Sequence, residues 1–205
     1  MDVFRVSAAP RPSHSCWYKW SSTSAIRAGK SLCDVKAISS YDRLQHVDMS
    51  SNSIQDFSAL KNLLMIKRLD MSKNKIKSLS PLICQEEEEE TLGSRALEEL
   101  NLSSNEISEI VGSLGCTFLK SLRLDHNALK EMGGKLENLT FLQTLSISNN
   151  NLLTTRGISG LNLRVLDLSR NRLDILGDVF RSLPNVRDVN HLSQFAFACA
   201  FMRGC

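Results

Sequence analysis

The amino-acid sequence predicts an α/β solenoid: a stack of coils with a curved parallel sheet on the concave face and short helices or 3₁₀ turns on the convex face. Two observations lead to this prediction. An eleven-residue pattern that is apolar at its first, fourth, sixth and last positions occurs six times. Its asparagines are separated by 22, 31, 22, 23 and 21 residues, so that only the second step departs from a spacing of about 22. Repeats of this length stack because one unit cannot bury its own apolar face.

The apolar positions of the repeat predict short strands. The six copies read LQHVDMSSNSI, IKRLDMSKNKI, LEELNLSSNEI, LKSLRLDHNAL, LQTLSISNNNL and LRVLDLSRNRL. Apolar and polar residues alternate at the centre of each copy, so a strand there turns its apolar side chains inward and its polar ones outward. Successive strands would pair in parallel. We therefore expect about six full repeats, with partial repeats at both ends.

Each copy places one asparagine just after its strand. A short amide side chain can satisfy the backbone groups that a turn leaves open, and stacked copies would form a ladder. The six ladder positions are Asn52, Asn74, Asn105, Asn127, Asn150 and Asn171.

These motifs resemble the cytosolic 22-residue class of leucine-rich repeats. Similar proteins include the leucine-rich regulatory subunit of protein phosphatase 1, light chain 1 of outer-arm dynein, a spliceosomal A-prime protein and several ciliary scaffolds. The resemblance covers residues 32–190 and implies a leucine-rich-repeat solenoid that binds proteins on its concave sheet. It implies a non-catalytic scaffold or regulatory adaptor, in phosphatase control or on the ciliary axoneme. The alternative is a ribonucleoprotein component of the splicing type.

The domain boundaries follow from where the repeat register holds. Residues 1–31 show no register and are predicted to form a flexible basic tail; docking of a partner by this basic, aromatic segment is the alternative. Residues 32–190 form the leucine-rich-repeat domain. Residues 191–205 form an atypical apolar tail, because His191 replaces the next strand leucine and FAFACAFMRGC follows. An exposed apolar end is poorly suited to capping a solenoid. The tail predicts either an alternatively ended chain or a self-association surface.

The first residues of the domain predict a cap. The stretch from Leu32 reads as a degenerate half-repeat that is apolar at Leu32, Val35, Ile38 and Tyr41. Such a segment would cover the open edge of the first strand.

An insertion interrupts the regular spacing between Asn74 and Asn105. It occupies residues 84–95 approximately and includes five consecutive glutamates, Glu86 to Glu90. Because like charges repel and remain solvated, the insertion is predicted to be an acidic loop. Docking of a basic partner on this loop is the alternative.

The concave face is the predicted binding site, formed by the strand residues that flank the inward leucines. Its mixture of both charges favours a structured protein segment over a phosphate backbone, which would require a stripe of cations. Arg68 and Arg123 are the expected anchors, because a guanidinium pairs with defined geometry. The predicted contact residues are His46, Asp48, Arg68, Asp70, Glu99, Asn101, Ser121, Arg123, Asp125, Thr144, Ser146 and Asp167.

Asp48, Asp70 and Asp167 share one position of the repeat and could bind a cation or a basic ligand. Arg123 and Ser146 interrupt this acidic column. Divalent cations require oxygen ligands that converge on one point, so a structural role in the repeat is favoured.

Other chemical signals are incomplete. The string SAIRAGKS, from Ser24 to Ser31, resembles a phosphate loop, but serine replaces the first glycine and no clear strand and helix flank it. The histidines lie in four separate contexts, so we expect no catalytic base beside a nucleophile. These are His14, His46, His126 and His191.

Composition bears on the partner and the compartment. The net charge is only +3, below the basic excess typical of nucleic-acid binders. The six cysteines lack the short spacings of a zinc site, which favours reduced thiols. The N-terminus lacks the apolar region of a signal peptide, and no run reaches the ~18 apolar residues of a membrane span. We expect no enzyme activity, no cofactor or metal, and a cytoplasmic monomer, with the cilium or nucleus as alternatives.

Overall fold

The computed structural model describes residues 24–26, 28–61, 63–83, 96–132, 136–158, 161–173 and 185–190. Within these residues, eight three-residue strands lie side by side in one sheet, in sequence order. They are β1 (Ser24–Ile26), β2 (His46–Asp48), β3 (Arg68–Asp70), β4 (Glu99–Asn101), β5 (Ser121–Arg123), β6 (Thr144–Ser146), β7 (Val165–Asp167) and β8 (Asp188–Asn190).

Every neighbouring pair of strands is parallel and keeps one register. For example, Leu100 on β4 lies opposite Leu69 on β3 and opposite Leu122 on β5. Each coil therefore makes one full return around the solenoid before its next strand begins. The predicted leucine-rich-repeat solenoid is confirmed.

The interior is one continuous apolar cluster that runs through the coils. In the third repeat, the inward positions Leu97, Leu100, Leu102 and Ile107 are between 0% and 2% exposed. The returning segments add further apolar side chains from the opposite side, including the fully buried Phe57. A coil therefore buries its apolar residues mainly against the coils above and below it.

The convex returns are short and contain little regular helix. In the described part of the chain, single-turn 3₁₀ helices occur at Lys36–Ile38, Ser58–Leu60 and Ser80–Leu82. Pro81 fits the first turn of the last of these, because that turn does not require its backbone N–H. The other described returns consist of turns and extended chain, which keeps each coil thin enough to stack.

The 31-residue step between Asn74 and Asn105 leaves the sheet undisturbed. Arg68 on β3 lies opposite Glu99 on β4 in the same register as every other pair. Ile83, the last described residue before the insertion, bridges to Leu114 of the following coil. The predicted acidic loop at 84–95, with Glu86–Glu90, lies outside the described residues.

The sheet begins earlier in the chain than the sequence indicated. Strand β1 lies inside the segment 1–31, which was expected to be a tail, and it pairs with β2 through Ala25 and Val47. Its coil lacks the usual signals, because alanine stands at the central strand position and lysine at the ladder position. A side chain of the next coil closes the turn after β1: the backbone N–H groups of Lys30 and Leu32 both donate to Asn52 Oδ1, at 2.9 and 3.0 Å.

The half-repeat from Leu32 is accordingly the return segment of this first coil. Val35 and Ile38 are buried in the core, as their apolar character suggested. Tyr41, the last apolar position of the half-repeat, is 44% exposed. The phosphate-loop-like string occupies β1 and its turn, where Gly29 N–H donates to Ser50 O.

At the other end, β8 continues the register of β7, with Val189 opposite Leu166. The partly buried Val186 packs against the core just before this strand. The apolar tail 191–205 lies outside the described residues.

We expect Leu122→Ala to lower the free energy of unfolding by about 2–5 kcal/mol, because it opens a cavity in a fully buried column shared by two neighbouring coils. Leu100→Ala should behave in the same way. Urea denaturation followed by circular dichroism measures both. Leu153→Ala is the control, since Leu153 is 53% exposed. An unchanged midpoint for Leu122→Ala would contradict the inward assignment.

Candidate functional site: the concave face

The first and third residues of each strand form the outer surface of the sheet. In β2, β3 and β4 the first residue is exposed, the central residue is buried and the third is half-buried. Because this pattern recurs coil after coil, the sheet presents two parallel columns of polar side chains. Of the twelve predicted contact residues, all except Asp125 lie in these two columns.

The amino-terminal half of the face carries paired charges. Arg68 Nε lies 3.1 Å from Glu99 Oε1 on the next strand. Asp70 Oδ2 accepts a hydrogen bond from Asn101 Nδ2 at 3.0 Å. Cross-strand neighbours in register make these contacts possible. The face therefore carries both signs of charge close together: Arg68 and Glu99 are paired, while Asp48 and Asp70 lie opposite each other on β2 and β3.

Two adjoining grooves collect most of the predicted residues. The first, of about 390 Å³, extends across β1 to β5. The second lies beside it, along the turns that follow the strands. Thr144 lies on β6, half-buried, and lines neither groove. The predicted residues in the first groove are His46, Asp48, Arg68, Asp70, Glu99, Asn101, Ser121 and Arg123, and those in the second are Asn101, Arg123, Asp125, Ser146 and Asp167.

Several lining residues were missing from the prediction, and four of them extend the face. Ser24 and Ile26 line the first groove, but their strand belongs to the degenerate first coil. Lys73 and His126 line the second groove. Each of these two directly precedes a ladder asparagine, which is a sequence signal that could have placed them on the same turn.

The acidic column has a structural function. Asp48, Asp70 and Asp167 each accept the backbone N–H of the serine two residues later, at 2.9, 2.8 and 2.9 Å. Asn101 makes the same contact with Ser103. These side chains close the turn at the end of each strand. The turn thereby occupies one side-chain oxygen of each residue, and the second oxygen of Asp70 accepts from Asn101 Nδ2.

Asp125 is the exception, and it is almost buried, with 6% exposure. Arg123 and Ser146 stand where other coils have the aspartate. Asp125 Oδ1 instead accepts hydrogen bonds from the next coil: from Ser148 N at 2.9 Å, from Ser148 Oγ at 2.8 Å and from Ser146 Oγ. Its second oxygen lies 3.6 Å from Arg123 Nε. Asp125, from the preceding coil, thus supplies the carboxylate that β6 lacks at Ser146. The same side chain orients Arg123.

The asparagines form a ladder of hydrogen bonds between coils. Asn150 Oδ1 accepts the backbone N–H of Leu129 in the preceding coil at 3.0 Å. Its Nδ2 donates to Leu124 O of the preceding coil and to Ile147 O of its own, at 2.9 and 3.2 Å. The same contacts recur at Asn74, Asn105, Asn127 and Asn171. Buried backbone groups of adjacent coils are satisfied by one side chain.

The residue before each ladder asparagine has a left-handed backbone. These φ angles lie between 53° and 58°, in a region that L-residues rarely occupy. The following asparagine bonds to carbonyls two and three residues back, which holds the turn in this conformation. The residues are Ser51, Lys73, Ser104, His126, Asn149 and Arg170.

The described residues contain neither a cluster of metal-ligating side chains nor a membrane helix. No group of three or more His, Cys, Asp or Glu side chains among them is placed to hold a metal ion. Within the same residues, no helix has the length and apolar character needed to cross a membrane. His46 lies exposed on the concave face and His126 lies in a turn, three coils apart.

Known proteins share this architecture. Residues 96–117, 141–161 and 162–184 match the family model described as Leucine Rich Repeat. The protein is a leucine-rich-repeat solenoid. Solved structures agree: an internalin (inlF) of Listeria monocytogenes superposes with a TM-score of 0.72 at 25% identity, covering 82% of this chain and 46% of that one. For internalin C2 of the same bacterium the TM-score is 0.71 at 25% identity, with 85% and 76% covered.

Curated relatives match a shorter stretch. Toll-like receptor 3 of Mus musculus is 35% identical over 119 residues, which is 52% of this chain and 13% of the receptor. Toll-like receptor 3 of Homo sapiens is 34% identical over 113 residues, or 49% and 12%. The chain spans about an eighth of the length of these receptors.

Asn150→Ala should lower the free energy of unfolding by about 1–3 kcal/mol, because it leaves buried backbone groups of two coils without partners. Chemical denaturation measures the change. Asn151→Ala provides the control, since the adjacent Asn151 is half-buried and outside the ladder. Equal effects of the two substitutions would be incompatible with a ladder that stabilises the stack.

A compensatory pair tests the role of Asp125. Asp125→Ser should destabilise the protein by about 1–3 kcal/mol, because Ser148 N–H loses its acceptor. Adding Ser146→Asp should restore most of that loss, since an aspartate there would close the turn as Asp48 and Asp70 do. A double-mutant cycle of unfolding free energies measures the coupling. Additive effects would refute this account.

Proposed function

We propose that the protein is a non-catalytic adaptor that binds a structured segment of a partner protein on its concave face. Leucine-rich-repeat proteins generally act as scaffolds for protein–protein interaction, and the extended concave sheet is the surface they use. The observation that carries the proposal is the mixed-charge half of the sheet, where Arg68 and Arg123 stand among the carboxylates of Asp48, Asp70 and Glu99.

The two arginines are suited to different parts of this recognition. Arg68 pairs with Glu99 although both side chains are about half exposed or more, at 63% and 50%. Such exposed pairs contribute little to stability, so a partner carboxylate can replace Glu99 at small cost. Arg123 is 58% exposed and is oriented by the nearly buried Asp125, which prepares its guanidinium for a partner.

The polar residues between the arginines favour a protein ligand. Strand β4 separates the two arginines and presents Glu99 and Asn101. A phosphate backbone would be repelled by this carboxylate and by Asp48 and Asp70 nearby. A peptide or helix that carries both charges complements the same surface.

We further propose that the protein acts in the cytoplasm and belongs to the 22-residue class of leucine-rich repeats. The spacings of 22, 22, 23 and 21 residues outside the insertion support this class. Phosphatase control, the ciliary axoneme and the nucleus are settings that the resemblance suggests.

Arg68→Ala with Arg123→Ala should reduce partner capture at least tenfold and leave the fold intact, because both anchors of the concave face are lost. Quantitative mass spectrometry of proteins captured from cell extract by the wild-type and variant chains measures this, with circular dichroism to verify folding.

The matched control is Lys77→Ala with Arg156→Ala. Lys77 forms an ion pair with Glu106 at 3.6 Å and both side chains are half exposed or more, yet it lies away from the sheet. Arg156 is exposed on a return segment. The proposal fails if both double variants retain the same proteins as the wild type.

A further inference from the structure

A row of apolar side chains follows one edge of the sheet, away from the concave face. Each residue immediately precedes the first inward residue of its coil, three positions before its strand. We call this row the edge stripe; it consists of Met65, Ala96, Phe118 and Phe141. Met65, Phe118 and Phe141 are 55%, 48% and 54% exposed, and the two rings stack with centroids 6.0 Å apart.

The stripe is confined to four consecutive coils. The same repeat position holds Arg43 in the coil before and Asn162 and Asn185 in the coils after it. The two asparagines bond to each other, with Asn185 Nδ2 donating to Asn162 Oδ1 at 2.8 Å. An exposed apolar patch bordered by polar residues, here by Arg43 on one side and Asn162 on the other, is typical of an interaction surface.

The two sides of the stripe differ in charge. Toward the strands, the column two residues later holds Lys67, Glu98, Lys120 and Gln143 in the four coils of the stripe, and Arg164 in the coil that follows them. The three cations are exposed. On the opposite side, the described residues that directly precede the stripe are the neutral Leu64, Thr117 and Thr140. The flank nearest the sheet is therefore cationic overall.

Glu98 offsets only one of these cations, Lys120. Lys120 Nζ donates to Glu98 Oε2 at 2.7 Å, and this hydrogen bond, with the charge of Lys120, lowers the pKa of the Glu98 carboxyl. The pair neutralises itself. No ion pair involves Lys67 or Arg164 within the described residues, so both are available to an external anion.

The spacing of the stripe matches that of a helix. Adjacent coils are separated by the strand spacing of about 4.8 Å, so the four coils span roughly 14 Å. An α-helix presents a residue on one face every turn of about 5.4 Å. A helix laid across the coils would place one apolar side chain near each stripe residue over about three turns, whereas alternate residues of an extended strand lie nearly 7 Å apart.

We propose that the edge stripe binds an amphipathic helix of another protein, with its apolar face on Phe118 and Phe141 and an acidic flank turned toward Lys67 and Arg164. The stacked rings supply a rigid apolar anchor, and Met65 adapts to the side chain that meets it. The cationic flank orients the helix and repels a second copy of the same surface.

The test uses two phage-display libraries of 18-residue helices with identical variable apolar positions. One has glutamate at the fixed flanking positions and the other has lysine. Binders that enrich on the full chain are synthesised, and their affinities are measured by fluorescence anisotropy. We expect binders from the glutamate library and at least tenfold weaker affinity for their lysine counterparts.

Variants then locate the site. Phe118→Ser with Phe141→Ser should weaken binding at least tenfold, and Lys67→Glu with Arg164→Glu should reverse the preference for the acidic flank. The matched control is Val111→Ser with Leu153→Ser, two exposed apolar residues elsewhere, at 64% and 53% exposure. This control and the Arg68→Ala, Arg123→Ala variant should bind normally, which separates the stripe from the concave face. Circular dichroism verifies that each variant folds.

Three results would overturn the inference. The first is that neither library yields a binder that depends on Phe118 and Phe141. The second is equal binding of glutamate and lysine helices. The third is sedimentation showing a wild-type dimer that the ring variant abolishes, since a second copy would then occupy the stripe.

Discussion

The whole stack depends on one interaction, the buried hydrogen bonding of an asparagine amide to the backbone of two coils. A coil of about 22 residues leaves backbone groups open where its strand ends, and these groups lie inside the solenoid, away from water. Asn105, 8% exposed, accepts from the coil before it and donates to its own carbonyls. If the asparagine is removed, the buried backbone group has no hydrogen-bond partner, and its desolvation destabilises the folded state.

This constraint explains why the rest of the coil tolerates so much variation. The ladder and the inward apolar positions fix the register, so the outward strand positions are free to differ. The left-handed turn before each asparagine accepts serine, lysine, histidine and arginine. The carboxylate that closes a turn can also come from another position of the repeat. Asp125 accepts the backbone N–H of Ser148 in the next coil, and Arg123 takes the strand position that holds aspartate in other coils.

The same coils consequently present two different surfaces. The sheet offers paired charges and hydroxyl groups, while the edge where the strands begin offers Met65, Phe118 and Phe141 beside a cationic column. A solenoid can carry both because each column of side chains is independent of the others along the stack. An adaptor with two such surfaces can hold two partners on one rigid body.

The sequence by itself determined the architecture, the inward columns and the ladder, because an eleven-residue pattern repeated six times leaves one way to bury its leucines. It also placed the concave columns, since alternation in a strand is local. It missed the first coil, whose strand has alanine at its centre and whose turn is closed by Asn52 of the next coil. It likewise treated Asp125 as a surface contact.

Only the tertiary structure decided these points, because each depends on a contact between coils that are about twenty residues apart in the chain. Three contacts arise from the stacking of coils: Arg68 with Glu99, the Asp125 carboxylate with Ser148 of the next coil, and Phe118 with Phe141. A one-residue shift in register would separate every one of them. Local pattern fixes what a coil is, and the stack fixes which side chains meet.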